Sequence, residues 1–356
     1  MDVGGLLQRM VDEGASDLHL RVPSPPVLRI DGELKVLDDM PPMEVKDVEL
    51  AFERIATPEQ RSKLLNEMDI EFAYSVSGLA RFRISAMRQR GTMSLAFRVV
   101  PFQVPTIDQL GAPEVCKNVV LEPRGIILVT GSAGSGKSMT MASMIDHLNK
   151  SVRSNVIIIE QPIEYLYSNE NCIIAQRDIG DDTKSFTSAL RHSLYHDPDV
   201  IVIGDIADRE TIATAIKAAQ SGHLVLATMY SESAIQTIDN IIDMFPLEQQ
   251  ALVRLQLSQV LLAIVSQKLL SRTEGKGRVA AFEVLVANRE IKELLRKDKT
   301  GYIAELMETN GDCMQTMDQA LAQLVKKEIV KREEAILISN NPEKIEELLR
   351  DNKVKV

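Results

Sequence analysis

The residues with the clearest chemical purpose lie in a glycine-rich segment that ends in a lysine and a serine, Gly-Ser-Ala-Gly-Ser-Gly-Lys-Ser at 131–138. Glycines let a backbone curl until successive N–H groups point at phosphate oxygens. Lys137 is expected to reach the β- and γ-phosphates of ATP, and the Ser138 hydroxyl to ligate Mg²⁺. The predicted nucleotide contacts are Gly131, Ser132, Ala133, Gly134, Ser135, Gly136, Lys137, Ser138 and Met139.

Hydrolysis of ATP also needs carboxylates that hold the metal or orient the attacking water. Asp205 follows the apolar run 200–203 and is the candidate metal carboxylate. Glu160 ends another apolar run and Glu164 follows it, so these two are candidates to orient or deprotonate water. Each alone is also compatible with a solvated surface carboxylate. Their shared place near the ends of buried strands favours the catalytic interpretation.

The elements that must position these residues alternate between strand and helix from about residue 114 onward. Apolar runs at 126–129, 155–160, 197–205 and 223–228 are separated by helix-compatible segments, which is typical of a parallel sheet with crossovers. Ligands bind at the carboxyl ends of such strands. Residues 247–270 are predicted to form one long helix. The expected fold class is therefore α/β in this part of the chain.

The first hundred residues predict a smaller α+β domain. The expected domains are 1–100, a linker at 101–113 that contains three prolines, and 114–356. Arg81, Arg88 and Arg98 belong to an arginine cluster in the first domain. They form either a solvated basic face or a set of guanidinium groups that reach nucleotide phosphates, and both interpretations stay open.

Bulk composition limits the partners and the compartment. A net charge of −10 argues against a nucleic-acid partner held mainly by phosphate contacts. No apolar run approaches the roughly 18 residues of a membrane span, so direct membrane insertion is not expected. Three dispersed cysteines favour a reducing, cytoplasmic location. A helicase is a weaker alternative, and it predicts salt-sensitive binding to single-stranded nucleic acid.

Several ordered motifs resemble those of the PilT-type type IV pilus retraction ATPases, within the wider secretion-ATPase superfamily. Beside the phosphate loop, the matching segments include Ala15–Leu20, Arg81–Arg83, Pro162–Glu164, Ser221–Val225 and Met314–Asp318. The resemblance covers nearly the whole chain. It implies a PAS-like domain followed by a RecA-like ATPase domain, and it places His223 among the catalytic residues.

The resemblance also implies partners and a role. The protein is expected to form a homohexamer that uses ATP and Mg²⁺ to power pilus retraction and twitching motility. The ring would be cytoplasmic and would dock at the inner membrane on the pilus platform protein. A sister pilus ATPase is a further expected partner.

The chain departs from the family pattern around the reaction centre rather than in the phosphate loop. Gln161 replaces an aspartate, Asp205 a glutamate, Tyr230 a histidine and Met139 a threonine. A carboxylate withdrawn by about 1 Å can cost on the order of 100-fold in rate. Two hypotheses follow: a working retraction motor, or a weakly hydrolysing nucleotide-binding subunit that modulates a sister motor.

Overall fold

The computed structural model describes residues 2–30, 32–100, 103–274, 277–309 and 313–350. The chain divides into two compact units. The first comprises Met1–Gln103 with Glu164–Leu166, and the second comprises Val104–Ile163 with Tyr167–Val356. The sequence-based boundaries at 100 and 113 stay a prediction, and residues 101 and 102 of the predicted linker lie outside the described ranges.

The first unit is built on a six-stranded antiparallel sheet. Its strands lie in the order β3-β2-β1-β6-β5-β4. Residues 80–86 of β5 alternate buried and half-buried side chains, as a sheet with one covered face does. Buried side chains of its helices, such as Leu7 and Phe52, share one core with the sheet. The elements are α1 Val3–Asp12, β1 Asp17–Arg21, β2 Val27–Ile30, β3 Glu33–Val36, α2 Val45–Ile55, α3 Pro58–Glu67, β4 Asp69–Val76, β5 Ala80–Gln89 and β6 Thr92–Val100.

The second unit is built on a seven-stranded sheet in the order β13-β12-β7-β11-β10-β8-β9. Six strands run parallel, and only β13 is antiparallel to its neighbour. The central strands are continuous apolar runs because helices cover both faces. The strands are β7 Gly125–Thr130, β8 Asn155–Glu160, β9 Ile173–Asp178, β10 Val200–Ile203, β11 Leu224–Met229, β12 Leu261–Ser271 and β13 Arg278–Val286.

Helices pack on this sheet and continue beyond it toward the carboxyl terminus. They are α4 Val115–Val119, α5 Lys137–Ser151, α6 Phe186–Ser193, α7 Arg209–Gln220, α8 Ala234–Asp243, α9 Leu247–Val260, α10 Arg289–Arg296, the 3-10 turn Thr300–Tyr302, α11 Ile303–Thr309, α12 Met317–Lys326, α13 Arg332–Ile338 and α14 Pro342–Arg350. Within the described ranges, none of these helices has the length and apolar character needed to cross a membrane.

The predicted fold class is confirmed, but one predicted element is wrong. Residues 247–270 do not form a single helix, because helix α9 ends at Val260 and strand β12 begins at Leu261. Strand β12 pairs parallel with β7, and its Ile264 and Val265 are fully buried. A short apolar run buried on both faces has no period that separates strand from helix.

Candidate nucleotide-binding site

The phosphate loop connects the central strand β7 to helix α5, as the sequence predicts. Gly131 has a φ of +149° and Gly136 a φ of +92°. A Cβ on Gly131 would lie 2.5 Å from the Gln267 carbonyl oxygen, and one on Gly136 would lie 2.7 Å from Gln267 Nε2. Both positions therefore require glycine on two grounds, since backbone conformation and space each exclude a side chain.

Helix α5 begins at Lys137, so Ser138 and Met139 lie in its first turn. The first N–H groups of a helix lack intrahelical partners and attract anions. The neighbouring Ser135 Oγ is buried and has no hydrogen-bond partner among the described residues. This end of α5 therefore offers donors of the kind that bind phosphate.

The Lys137 ammonium folds back onto the loop that it follows. Its Nζ donates to the carbonyl oxygens of Gly131 at 2.9 Å and Ser132 at 3.0 Å. It also lies 4.0 Å from the centroid of the Tyr230 ring, which is within cation–π range. The residue is only 7% exposed. The Lys137 ammonium is thus bound by two backbone carbonyls and one aromatic ring of the protein.

The carboxyl ends of strands β11, β10 and β8 meet at the edge where the loop follows β7. The register pairs Ile203 of β10 with Ile159 of β8 and with Ala227 of β11. Asp205 lies two residues beyond Ile203, and Glu160 lies beside Gly204, where an added Cβ would be 3.2 Å from the Glu160 Cγ. Both predicted carboxylates therefore reach the same edge as the loop.

Asp205 is partly buried, and its Oδ1 has no hydrogen-bond partner among the described residues. Burial raises the pKa of this carboxyl group, and the positive charge of Lys137 acts in the opposite direction. An under-satisfied buried carboxylate oxygen beside a phosphate loop is a suitable ligand for a hard cation or its water. Thr228 stabilises the chain just after strand β10, because its hydroxyl donates to the Gly204 carbonyl at 2.5 Å.

A hydrogen-bonded layer of polar side chains supports the loop, and sequence reasoning missed it. Thr140 Oγ1 donates to Gln267 Oε1 at 2.6 Å, and Gln267 is 4% exposed. Thr130 Oγ1 and Ser266 Oγ lie 2.8 Å apart at the end of β7. Gln267 and Ser266 belong to β12, the segment that the sequence assigned to a helix. Recognition of that strand would have placed both residues beside the loop.

The structure does not bring His223 to the phosphate loop. This residue immediately precedes β11, and Leu224 pairs with Gly125 at the start of β7. It therefore lies at the opposite end of the sheet, roughly 23 Å from Gly131 over seven residues at about 3.3 Å per residue. Its Nδ1 contacts the Ala218 carbonyl at 2.9 Å, which ties β11 to the end of α7. Within the described residues this contact gives His223 a structural role, and the catalytic role that the resemblance implies stays a prediction.

The remaining predicted residues belong to the first compact unit. Arg88 lies 3.5 Å from Glu49 and Arg98 lies 2.8 Å from Asp17, so both pair with carboxylates of that unit. Arg81 lies on β5, where its Nη1 is 3.4 Å from the Ser75 hydroxyl. Glu164 is exposed and follows β8. Contacts of these four side chains with a nucleotide stay a prediction.

A model of the family described as Type II/IV secretion system protein matches residues 6–350. The chain belongs to this family. The type IV pilus retractation ATPase PilT of Pseudomonas aeruginosa is 41% identical over 336 residues, 94% of this chain and 97% of that protein. The type IV pilus ATPase PilU of the same bacterium is 36% identical over 339 residues, 94% and 88% of the two chains.

A crystal structure of the pilus retraction motor PilT with bound ADP has a TM-score of 0.91 and 40% identity, and the match covers 98% of this chain and 99% of that one. Together with the Type II/IV secretion system family match, these relatives confirm the predicted resemblance, the fold class and the assignment to the ATPases.

Proposed function

We propose that this protein is an ATP-hydrolysing motor of type IV pilus retraction and twitching motility. The main support is that the phosphate loop and the Asp205 carboxylate lie at the same edge of the parallel sheet. The likeness to PilT over nearly the full length of both chains gives this site its biological context.

ATP would lie with its phosphates in the loop. The N–H groups at the start of α5 and the Lys137 ammonium would bind the β- and γ-phosphates, after Lys137 exchanges its loop carbonyls for phosphate oxygens. Ser138 and Asp205 fit the donor set that Mg²⁺ prefers, because both supply oxygen ligands. When bound, Mg²⁺ would supply positive charge that offsets the negative charge developed during phosphoryl transfer.

The residues around the γ-phosphate would position water rather than perform covalent chemistry. Glu160 reaches the loop edge of the sheet, and Glu164 follows it in the chain. We assign these two residues the task of orienting or deprotonating the water. Asp205 is one methylene shorter than the glutamate usual in the resembled family, and Gln161 adds no charge. Hydrolysis is therefore expected to be slow relative to the family.

The assembled machine is also part of the proposal. We infer a homohexamer in the cytoplasm that docks on the inner-membrane pilus platform protein. The existence of PilU beside PilT in one bacterium supports a sister ATPase as a partner. Arg81, Arg88 and Arg98 would contribute guanidinium groups toward a nucleotide, and residues 1–100 would form the PAS-like domain.

Steady-state ATP turnover with Mg²⁺ tests the proposal. The parent should turn over ATP and Lys137→Ala should not, because the substitution removes the cation that contacts the phosphates. A parent rate equal to that of Lys137→Ala refutes the motor assignment. Asp205→Glu restores the longer carboxylate, so a large gain in rate shows that residue 205 limits the chemistry.

The alternative is an accessory subunit that binds nucleotide and modulates a sister motor. The substitutions at Gln161, Asp205 and Tyr230 favour it, because they change the reaction centre and leave the loop intact. ADP binding without measurable turnover, combined with stimulation of a sister ATPase on mixing, would identify this role.

A further inference from the structure

The ring of Tyr230 covers the ammonium of the phosphate-loop lysine. Lys137 Nζ lies 4.0 Å from the ring centroid while it donates to the carbonyl oxygens of Gly131 and Ser132. The lysine is 7% exposed, whereas Tyr230 is 59% exposed. One side of the ring therefore contacts the buried cation, and much of the side chain faces solvent.

A phosphate oxygen that approaches Lys137 must share or replace these contacts. An ammonium group has three N–H donors, and the two loop carbonyls already engage it. The aromatic face attracts the same charge electrostatically. Binding of a phosphate is thus an exchange of partners for Lys137 and not a simple addition.

We propose that Tyr230 is a positioning residue that holds Lys137 against the loop carbonyls and competes with the nucleotide phosphates for it. This inference rests on the proposed nucleotide-binding function and adds a residue that tunes its affinity. Tyr230 acts through Lys137, so it sets how readily the loop accepts phosphate.

The surrounding chain allows the ring to leave without a change of fold. Tyr230 directly follows β11, and the residues after it are fixed independently of the ring. The Ser231 hydroxyl lies 2.6 Å from Thr237 Oγ1, and the Ala234 N–H donates to Glu283 Oε1 at 2.6 Å. Rotation of the exposed side chain alone can remove the ring from the lysine, which keeps its two loop carbonyls.

Titration of the Mg²⁺-free protein with ADP tests the proposal. Tyr230→Leu removes the competing ring and should bind ADP about two- to fivefold more tightly than the parent, from the usual strength of an exposed cation–π contact. Tyr230→Phe keeps the ring and should bind like the parent. Tyr302→Leu is a matched control, because Tyr302 is 60% exposed and its ring lies 5.9 Å from Lys299, away from the loop.

A general loosening of the structure would not make Tyr230→Leu bind ADP more tightly than the parent. Equal or weaker ADP binding by Tyr230→Leu, beside a parent that binds, overturns the role of Tyr230 and leaves the proposed function intact. A parent that binds no ADP overturns both.

Intrinsic fluorescence gives a second measurement. The chain has six tyrosines and no tryptophan, so its emission comes from tyrosine. ADP should change the emission of the parent more than that of Tyr230→Phe, because the ring at 230 changes its surroundings. An equal change in the two proteins contradicts the release of the ring.

Discussion

Gly136→Ala should destabilise the ATPase unit much more than Gly134→Ala, although both glycines lie in the phosphate loop. Both residues have positive φ, +92° and +76° respectively. A Cβ at Gly136 would lie 2.7 Å from Gln267 Nε2, whereas no described atom outside the immediate neighbours lies within 4 Å of a Cβ at Gly134. The pair therefore separates the backbone cost from the packing cost.

The backbone cost should be similar at the two positions, at about 1–2 kcal/mol for a left-handed L-residue. The packing cost falls on Gly136 alone. Gln267 is buried and bonded to Thr140 at 2.6 Å, so its amide cannot move without the loss of that bond. Overpacking of this kind typically costs about 1–3 kcal/mol. Gly136→Ala should therefore exceed Gly134→Ala by about this amount.

Thermal unfolding without nucleotide measures the difference. Gly136→Ala should melt at least about 2 °C below Gly134→Ala, given the usual relation for units of this size. Gln267→Ala, combined with Gly136→Ala, should recover the packing part and produce a non-additive cycle. Equal melting temperatures for the two alanine variants, or additive effects in the cycle, would refute the contact with Gln267 as the cause.

Three further predictions test individual residues. His223→Ala should leave ATP turnover unchanged, measured beside Lys137→Ala, because His223 lies at the far end of the sheet. Asp208 caps helix α7 by accepting the N–H groups of Glu210 and Thr211, so Asp208→Ala should lower urea stability by about 0.5–2 kcal/mol with unchanged ADP affinity. Burial raises the pKa of the Glu283 carboxyl group above its ordinary value of 4.5. The stability that the protonated carboxyl group contributes is therefore fully present below pH 4.5 and is lost as pH rises through the folded-state pKa. Glu283→Gln cannot titrate, so its melting temperature should change less with pH in that window than the melting temperature of the parent.

Much of the fold could be predicted because local patterns and tertiary structure agree. The runs before Gly131, Glu160 and Asp205 are short and apolar, and helix-compatible segments separate them, so their assignment to parallel strands needed no long-range knowledge. Residues 261–271 follow helix α9 without a glycine or proline between them. Pairing with β7 on one side and β13 on the other makes this segment a strand, and pairing partners are not visible in a local pattern.

The site likewise contains a part that the sequence predicts and a part that depends on tertiary structure. The loop from Gly131 to Ser138 is contiguous, so its spacing alone specifies its geometry. Gln267 is distant in sequence, and it reaches the loop only through the pairing of β12 with β7. The distance of His223 from the loop was not visible in the sequence, because a motif shows which residues accompany one another and not which end of a strand each occupies. Its own strand, β11, separates it from Tyr230.

The substitutions at 205 and 230 look independent in the sequence, but the structure joins them at Lys137. The positive charge of this lysine opposes the rise in the pKa of Asp205 that burial causes. The same ammonium lies against the Tyr230 ring. If Lys137 turns to a phosphate, the Asp205 carboxylate would lose part of this support, and a cation bound with the nucleotide would replace it. Asp205 and Tyr230 therefore both act on the charge of Lys137. Changes at the two positions should have coupled effects on nucleotide affinity and on the rate of hydrolysis.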